Sequence, residues 1–261
     1  MRPIIAIAST TVGEAIRRKV LLIILLIGVL FLVVAPGLGV LSARSETTVL
    51  KGMMLGVIQL TGAVIAVVLT VYMIPNEIER RTIYTILSKP VQRWQFLLGK
   101  YFGAVAALAM MMALMSAIMV FVFSYQTGNI SEGASLVRAP AMYFIQMSLL
   151  AAVAIFFSTF VTPLVNFFLS GGMYLLGSLF NPFFQTLEES KGAPAFAKMA
   201  AKIINMVIPN FANYNVQNPL INTGQTIGNE TEYYLKALGY GLLYVGVLLV
   251  GGMLIFDRRE V

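Results

Sequence analysis

Residues 20–40 read VLLIILLIGVLFLVVAPGLGV, with no charged side chain. As a helix rising 1.5 Å per residue this run is about 30 Å long, the thickness of a bilayer's hydrocarbon core. Five further runs of similar character follow, at residues 55–74, 96–123, 143–161, 165–183 and 237–256. Six apolar runs predict an all-α, polytopic membrane protein with six transmembrane helices. Composition agrees. Hydrophobic residues make up 59% of the 261-residue chain and charged ones 11%, with a mean hydropathy of +0.85. A soluble domain carries about a quarter charged residues. A closed β-barrel would instead show alternating segments of about ten residues.

The chain contains neither cysteine nor histidine. Disulfides and thiol chemistry are thereby excluded, along with the commonest proton shuttle and metal ligand. The net charge of +7 reflects loop placement and not nucleic-acid binding. Arg17-Arg18-Lys19 precede the first run, which is too long for a cleaved signal segment. With the N-terminus inside, eleven basic residues fall on the inner side and seven on the outer, four of those seven in or beside one long loop. Basic residues concentrate in cytoplasmic loops, and long loops obey the rule weakly. The expectation is a multi-pass protein of the cell inner (plasma) membrane with both termini cytoplasmic.

The chain reads as a single transmembrane domain over residues 1–261, with no internal repeat. Residues 3–19 form an interfacial helix whose apolar face gathers Ile4, Ile5, Ala8, Val12, Ala15 and Ile16, with Thr11, Glu14 and Arg18 elsewhere. Residues 41–54 and 124–142 are modest outer loops, and Thr162-Pro163 is nearly the whole of the fourth connection. Residues 184–236 form a long extracytoplasmic loop, read as a small cap or re-entrant segment. Within it 195–207 is amphipathic, with Phe196, Met199, Ala200, Ile203 and Val207 on one face and Lys198 and Lys202 off it.

With Lys100 counted among the inner charges, no Asp, Glu, Lys or Arg lies inside a span. Intramembrane ionisable groups mark ion paths and proton relays, so an ion-coupled secondary transporter is disfavoured. The most polar intramembrane groups are Gln59, Gln146 and Asn166. They are candidates for a substrate path, set against ordinary hydrogen bonding from helix to helix. No G-x-x-x-x-G-K-[ST] loop is present, so the chain does not hydrolyse ATP by that route. Met111, Met115 and Met119 share a helix face. Thioethers suit Cu(I), but without Cys or His to complete a site the reading is core packing.

Between the second and third runs lies Asn76-Glu77-Ile78-Glu79-Arg80-Arg81-Thr82-Ile83-Tyr84-Thr85-Ile86-Leu87-Ser88-Lys89-Pro90-Val91. Residues 77–90 predict a short inner-side helix. Ile78, Thr82, Ile83, Ile86 and Leu87 form one stripe, and Glu77, Arg80, Arg81, Tyr84 and Ser88 face away. Pro90 ends it, because the residue before proline avoids the α region. Clamped between two spans, such a helix transmits a push on its polar face to both.

The segment Glu77-x-Glu79-x-x-Thr82-Ile83-x-x-Ile86-Leu87-Ser88-Lys89-Pro90-Val91-x-Arg93-x-x-Phe96-Leu97-Leu98-Gly99-Lys100 resembles the coupling region of permease subunits of the type-2 ABC exporter superfamily. Glu14–Lys19, Ile208-Pro209-Asn210-Phe211 and Phe256-Asp257-Arg258-Arg259-Glu260 resemble further parts of the same family. Arg81 departs from it, standing where the family often has glycine. Within the superfamily the chain is most similar to the group that includes permeases linked to multicopper-enzyme maturation. The resemblance implies a non-catalytic permease subunit of an ATP-driven exporter, working as a homodimer or as a heterodimer with a related permease. A separate ABC ATPase subunit would carry ATP and Mg; no cofactor is expected in this chain. Glu77, Glu79, Arg80, Arg81, Tyr84, Ser88, Lys89 and Pro90 are the implied contacts with that ATPase. The rival expectation is an energy-independent membrane scaffold or channel-like protein.

Overall fold

The structure, a computed structural model, describes residues 2–39, 46–79, 91–189, 192, 194–215 and 230–258. Among these there is no strand. The helices in chain order are α1 (Arg2–Arg17), α2 (Lys19–Gly39), α3 (Glu46–Val71), α4 (Pro75–Glu79), α5 (Arg93–Thr127), α6 (Ile130–Ser135), α7 (Arg138–Ser158), α8 (Pro163–Leu175), α9 (Asn181–Glu189), α10 (Ala195–Val207) and α11 (Glu230–Arg258). A π-helical turn, Leu176–Phe180, joins α8 to α9, and a 3-10 turn, Ala212–Tyr214, lies between α10 and α11.

Among the described residues, six helical stretches are long and apolar enough to cross a membrane. They overlap the six runs of the sequence one for one. Two of them begin eight or more residues earlier than expected. The third helix starts at Glu46, and 124–142, read as a loop, is largely helical. The reason is local chemistry at that end. The Asn129 side chain accepts from the Glu132 N–H and caps α6, and Glu132 in turn pairs with Lys51 of α3 at 2.6 Å. Thr162 and Pro163 start α8, with proline at the first helical position where no N–H is needed.

Helices α3 and α7 form the centre. Their most apolar stretches are 72% and 67% buried, whereas those of α2, α8 and α11 are 17–28% buried. A hydrocarbon solvent explains the difference. In lipid an apolar side chain gains nothing by leaving the surface, so peripheral helices keep large residues outward, as at Leu26, Phe31, Phe168, Leu243 and Val247. Met111, Met115 and Met119 are buried in the hydrophobic core, as packing predicts.

Helix α1 packs on the first half of α5. Thr11 and Ala15 are buried while Ile5 and Ile16 point outward. The cause is the partner surface. Gly99 and Gly103 of α5 let α1 come close: a Cβ at Gly99 would lie 2.7 Å from Ile7 Cβ, and one at Gly103 2.5 Å from Thr11 Cβ and 2.8 Å from the Ala8 carbonyl oxygen. Small residues four apart let helix backbones approach closely.

Candidate coupling site

The charged junction begins where α3 ends. After Val71 the chain turns at Tyr72–Ile74 and re-enters a helix at Pro75. Glu77 on α4 does not face away from the bundle as its periodicity suggested. Its carboxylate accepts a 2.6 Å charge-assisted bond from Lys100 Nζ, and only 14% of its side chain is exposed. Lys100 also lies 3.7 Å from Glu14 Oε2 of α1. Its own side chain is 4% exposed, and its ammonium sits over the Phe96 ring. One lysine thus ties α1, α4 and α5 together. A buried ammonium needs such partners, because an unpaired charge away from water is costly.

The fourth element at this junction is the end of α11. Arg93, at the start of α5, donates to the carbonyl oxygens of Phe256 at 3.0 Å and Asp257 at 3.3 Å. The last carbonyls of a helix lack partners within it, and a cation there also complements the helix dipole. Phe96 stacks on Phe256 with ring centroids 6.1 Å apart. The motif Arg93-x-x-Phe96-x-x-Gly99-Lys100 therefore has a physical content. Arg93 and Phe96 hold α11, Gly99 admits α1, and Lys100 holds α1 and α4.

Glu79 lies in α4 and is exposed. The other expected contacts of this segment, Arg80, Arg81, Tyr84, Ser88, Lys89 and Pro90, lie outside the described residues. Sequence reasoning counted Lys100 as one more inner charge and passed over its role. A lone lysine inside an apolar run was the available signal, together with the Gly99-x-x-x-Gly103 spacing.

The intramembrane polar residues are brought together only in part. Gln59 Nε2 donates to Gln146 Oε1 at 3.2 Å, and Gln146 Nε2 donates to the Phe211 carbonyl at 2.8 Å. Asn215 Nδ2 donates to Gln59 Oε1 at 3.3 Å, and Tyr143 donates its hydroxyl hydrogen to Asn215 Oδ1 at 3.1 Å. This chain of bonds joins α3, α7 and the segment 209–215. Asn166 stands apart. It donates to the Ala154 carbonyl at 2.9 Å and accepts from Ser170 at 2.8 Å, linking α8 to α7. Both sites use amides as helix-to-helix fasteners.

Removing one end of the network should release the 209–215 segment. We expect Gln146→Leu to leave the Phe211 carbonyl without its donor, at about 1–3 kcal/mol by the cost of an unsatisfied buried group, with intramembrane pairs nearer about 0.6 kcal/mol. A cysteine placed at Ala212, buried in the parent, should then react faster with a membrane-permeant maleimide. An unchanged rate would show that the network does not hold the segment.

An apolar groove of about 940 Å³ lies between α5, α6 and α7, walled by Met112, Ser116, Val120, Phe121 and Phe144 among others.

These features define a class: a six-span helical membrane protein in which Lys100 and Arg93 join α1, α4 and the end of α11 to the start of α5. The chain belongs to the ABC-2 transporter family, the model for "ABC-2 family transporter protein" matching residues 5–261. Such a permease is the membrane component of an ABC transporter. Comparison with curated proteins gives no match.

Proposed function

We propose that the chain is the transmembrane subunit of an ATP-driven exporter of the inner (plasma) membrane, with both termini cytoplasmic. A separate ABC ATPase subunit binds ATP and Mg and grips the segment at 77–90. The permease works as a pair with a second copy or a related permease. Closure of the ATPases displaces the segment, and the displacement passes to the spans. The observation that carries this reading is the Lys100 junction. Glu77 opens the segment and is bonded at 2.6 Å to a buried lysine that also faces Glu14. A pull on this segment is therefore a pull on α1 and α5 together. The open apolar groove beside α5 supports an apolar or amphiphilic substrate.

The test uses Glu79, which is exposed and outside the Lys100 pair. Glu79→Lys should leave membrane abundance unchanged, because surface substitutions of this kind alter stability by less than about 0.5 kcal/mol. Docking should suffer, since a like-charge juxtaposition at an interface costs several kcal/mol. The tagged parent should co-purify with a Walker A ATPase whose hydrolysis rises on joint reconstitution, and the variant should recover several-fold less of it. No such ATPase with the parent would favour the scaffold reading. Equal recovery with parent and variant would remove Glu79 from the interface.

A further inference from the structure

The apolar groove beside α5 has the length of one membrane leaflet. Its wall on α5 runs from Ala109 to Tyr125, about 24 Å of helix. One leaflet, headgroups included, is about 20–22 Å thick. Lys100 lies on the same helix, about 14 Å from Ala109 on the side away from Tyr125. The groove therefore belongs to the leaflet remote from the Lys100 junction, and runs from near the middle of the bilayer to its surface. Helix α7 flanks it from Val137 to Phe144, and Ile130 of α6 stands at its open end.

Its lining is suited to hydrocarbon. Ala109, Ala113 and Ala117 follow one another at i, i+4 and i+8 and offer only methyl groups between the rings of Phe121 and Phe144. Among the described residues that line it none is charged. Two hydroxyls in the lining are turned to other uses. Ser116 donates to the Met112 carbonyl at 2.8 Å, and the Ser124 oxygen lies against α6, close to where a Cβ on Gly133 would stand. Tyr125 at the mouth is 85% exposed, and tyrosine is favoured at headgroup level. Left unfilled, a groove of about 940 Å³ would deprive its lining atoms of dispersion partners, and an apolar space of this kind does not hold water. A spanning helix from another chain would need a bed of about 30 Å. Towards the junction, however, the same face of α5 carries Phe102, whose side chain is 51% exposed and stands in the way.

We propose that this groove is a seat for one phospholipid of that leaflet. Its acyl chains lie along α5 between Ala109 and Phe121, and its glycerol and headgroup sit at Tyr125 and Ile130. A chain in the groove touches α5, α6 and α7 together, whereas an ordinary boundary lipid touches one outward face. The seated lipid is therefore held after boundary lipids have left. Recognition is by the chains, because the lining offers them only apolar surface. The seat is a lipid site whatever drives the transporter, so it stands apart from the ATP coupling proposed above.

Trp94 is the only tryptophan, so Trp94→Phe provides a silent background. Phe121→Trp then places a reporter on the groove wall, and Phe31→Trp places one on the outward face of α2. The two parent rings are 73% and 55% exposed, so folding is not at stake. They lie about 9 Å and about 12 Å from the far ends of their helices. Each protein is reconstituted in vesicles of dibrominated phosphatidylcholine, then solubilised and washed in mild detergent. In vesicles both reporters should be quenched. After washing, position 31 should regain its full fluorescence while position 121 stays several-fold dimmer, with one brominated lipid per chain in the native mass spectrum. Full recovery at both positions would make the groove an ordinary boundary surface and overturn the proposal. Quenching at 31 but not at 121 in vesicles would mean that protein covers the groove, and would overturn it equally. Ala113→Phe with Ala117→Phe, at two exposed positions, fills the groove, and position 121 should then recover on washing as 31 does. Persistent quenching in the filled variant would place the retained lipid elsewhere and overturn the seat.

Discussion

Lys100→Met is expected to be among the most destabilising single substitutions in the chain. The lysine is 4% exposed and its partner Glu77 14%, so methionine fills the space but takes from the Glu77 carboxylate the ammonium bonded to it at 2.6 Å. Removing one partner of a buried pair costs about 3–5 kcal/mol. Glu14 contributes less, at 3.7 Å and half exposed, where water already solvates it. The remedy is specific. Adding Glu77→Gln to Lys100→Met removes the charge that lost its lysine, so the double variant should be more stable than the single one. The measurement is a double-mutant cycle by denaturant unfolding in detergent. A coupling of about 0.5–3 kcal/mol is expected for groups in contact. Additive effects would mean that the pair does not hold the junction. Glu77→Lys, which sets two ammonium groups together, should fail by misfolding and so cannot report on docking.

Gly103→Leu is expected to detach α1. Even a Cβ there would approach Thr11 Cβ to 2.5 Å and the Ala8 carbonyl oxygen to 2.8 Å, and backbone cannot rotate aside as a side chain can. Overpacking of this kind costs about 1–3 kcal/mol. The strain is relieved if α1 lifts off α5. The readout is limited trypsin digestion at Arg17-Arg18-Lys19 in the detergent-solubilised protein, where cleavage should become several-fold faster. Gly13→Ala is the control. No atom lies within 4 Å of its new Cβ, and alanine is the better helix former by about 1 kcal/mol. Faster cleavage in both variants would show general loosening of α1 and remove the close approach at Gly103 from the explanation.

The places where sequence reading and structure diverge share a cause. Periodicity set Glu77 on the polar face, and by local rules it belongs there. What turns it inward is Lys100, 23 residues further along the chain. Likewise Thr11 stands off the apolar face of α1, yet the close approach of Gly103 on α5 buries it. Gln59 and Gln146 were legible as polar groups in apolar runs. That they meet each other while Asn166 meets Ala154 and Ser170 was not. The Pro209-Asn210-Phe211 element was visible as a motif. Its bonding to Tyr240 and Gln146 required knowing which spans are neighbours.

The number of membrane-crossing helices and the all-helical class follow from the sequence alone, because an apolar run of about 20 residues is a local property that the bilayer reads directly. The amphipathic stripe of 195–207 and the charge excess between the second and third spans were equally local. The tertiary structure decided which polar groups are used up inside the protein and which stay outside. A buried charge or amide must find a partner wherever the fold puts one, and at Lys100, Gln146 and Asn205 the partners come from elements distant in sequence. The side of a helix that counts as outward is therefore set by its neighbours and its solvent together, and no one-dimensional pattern contains both.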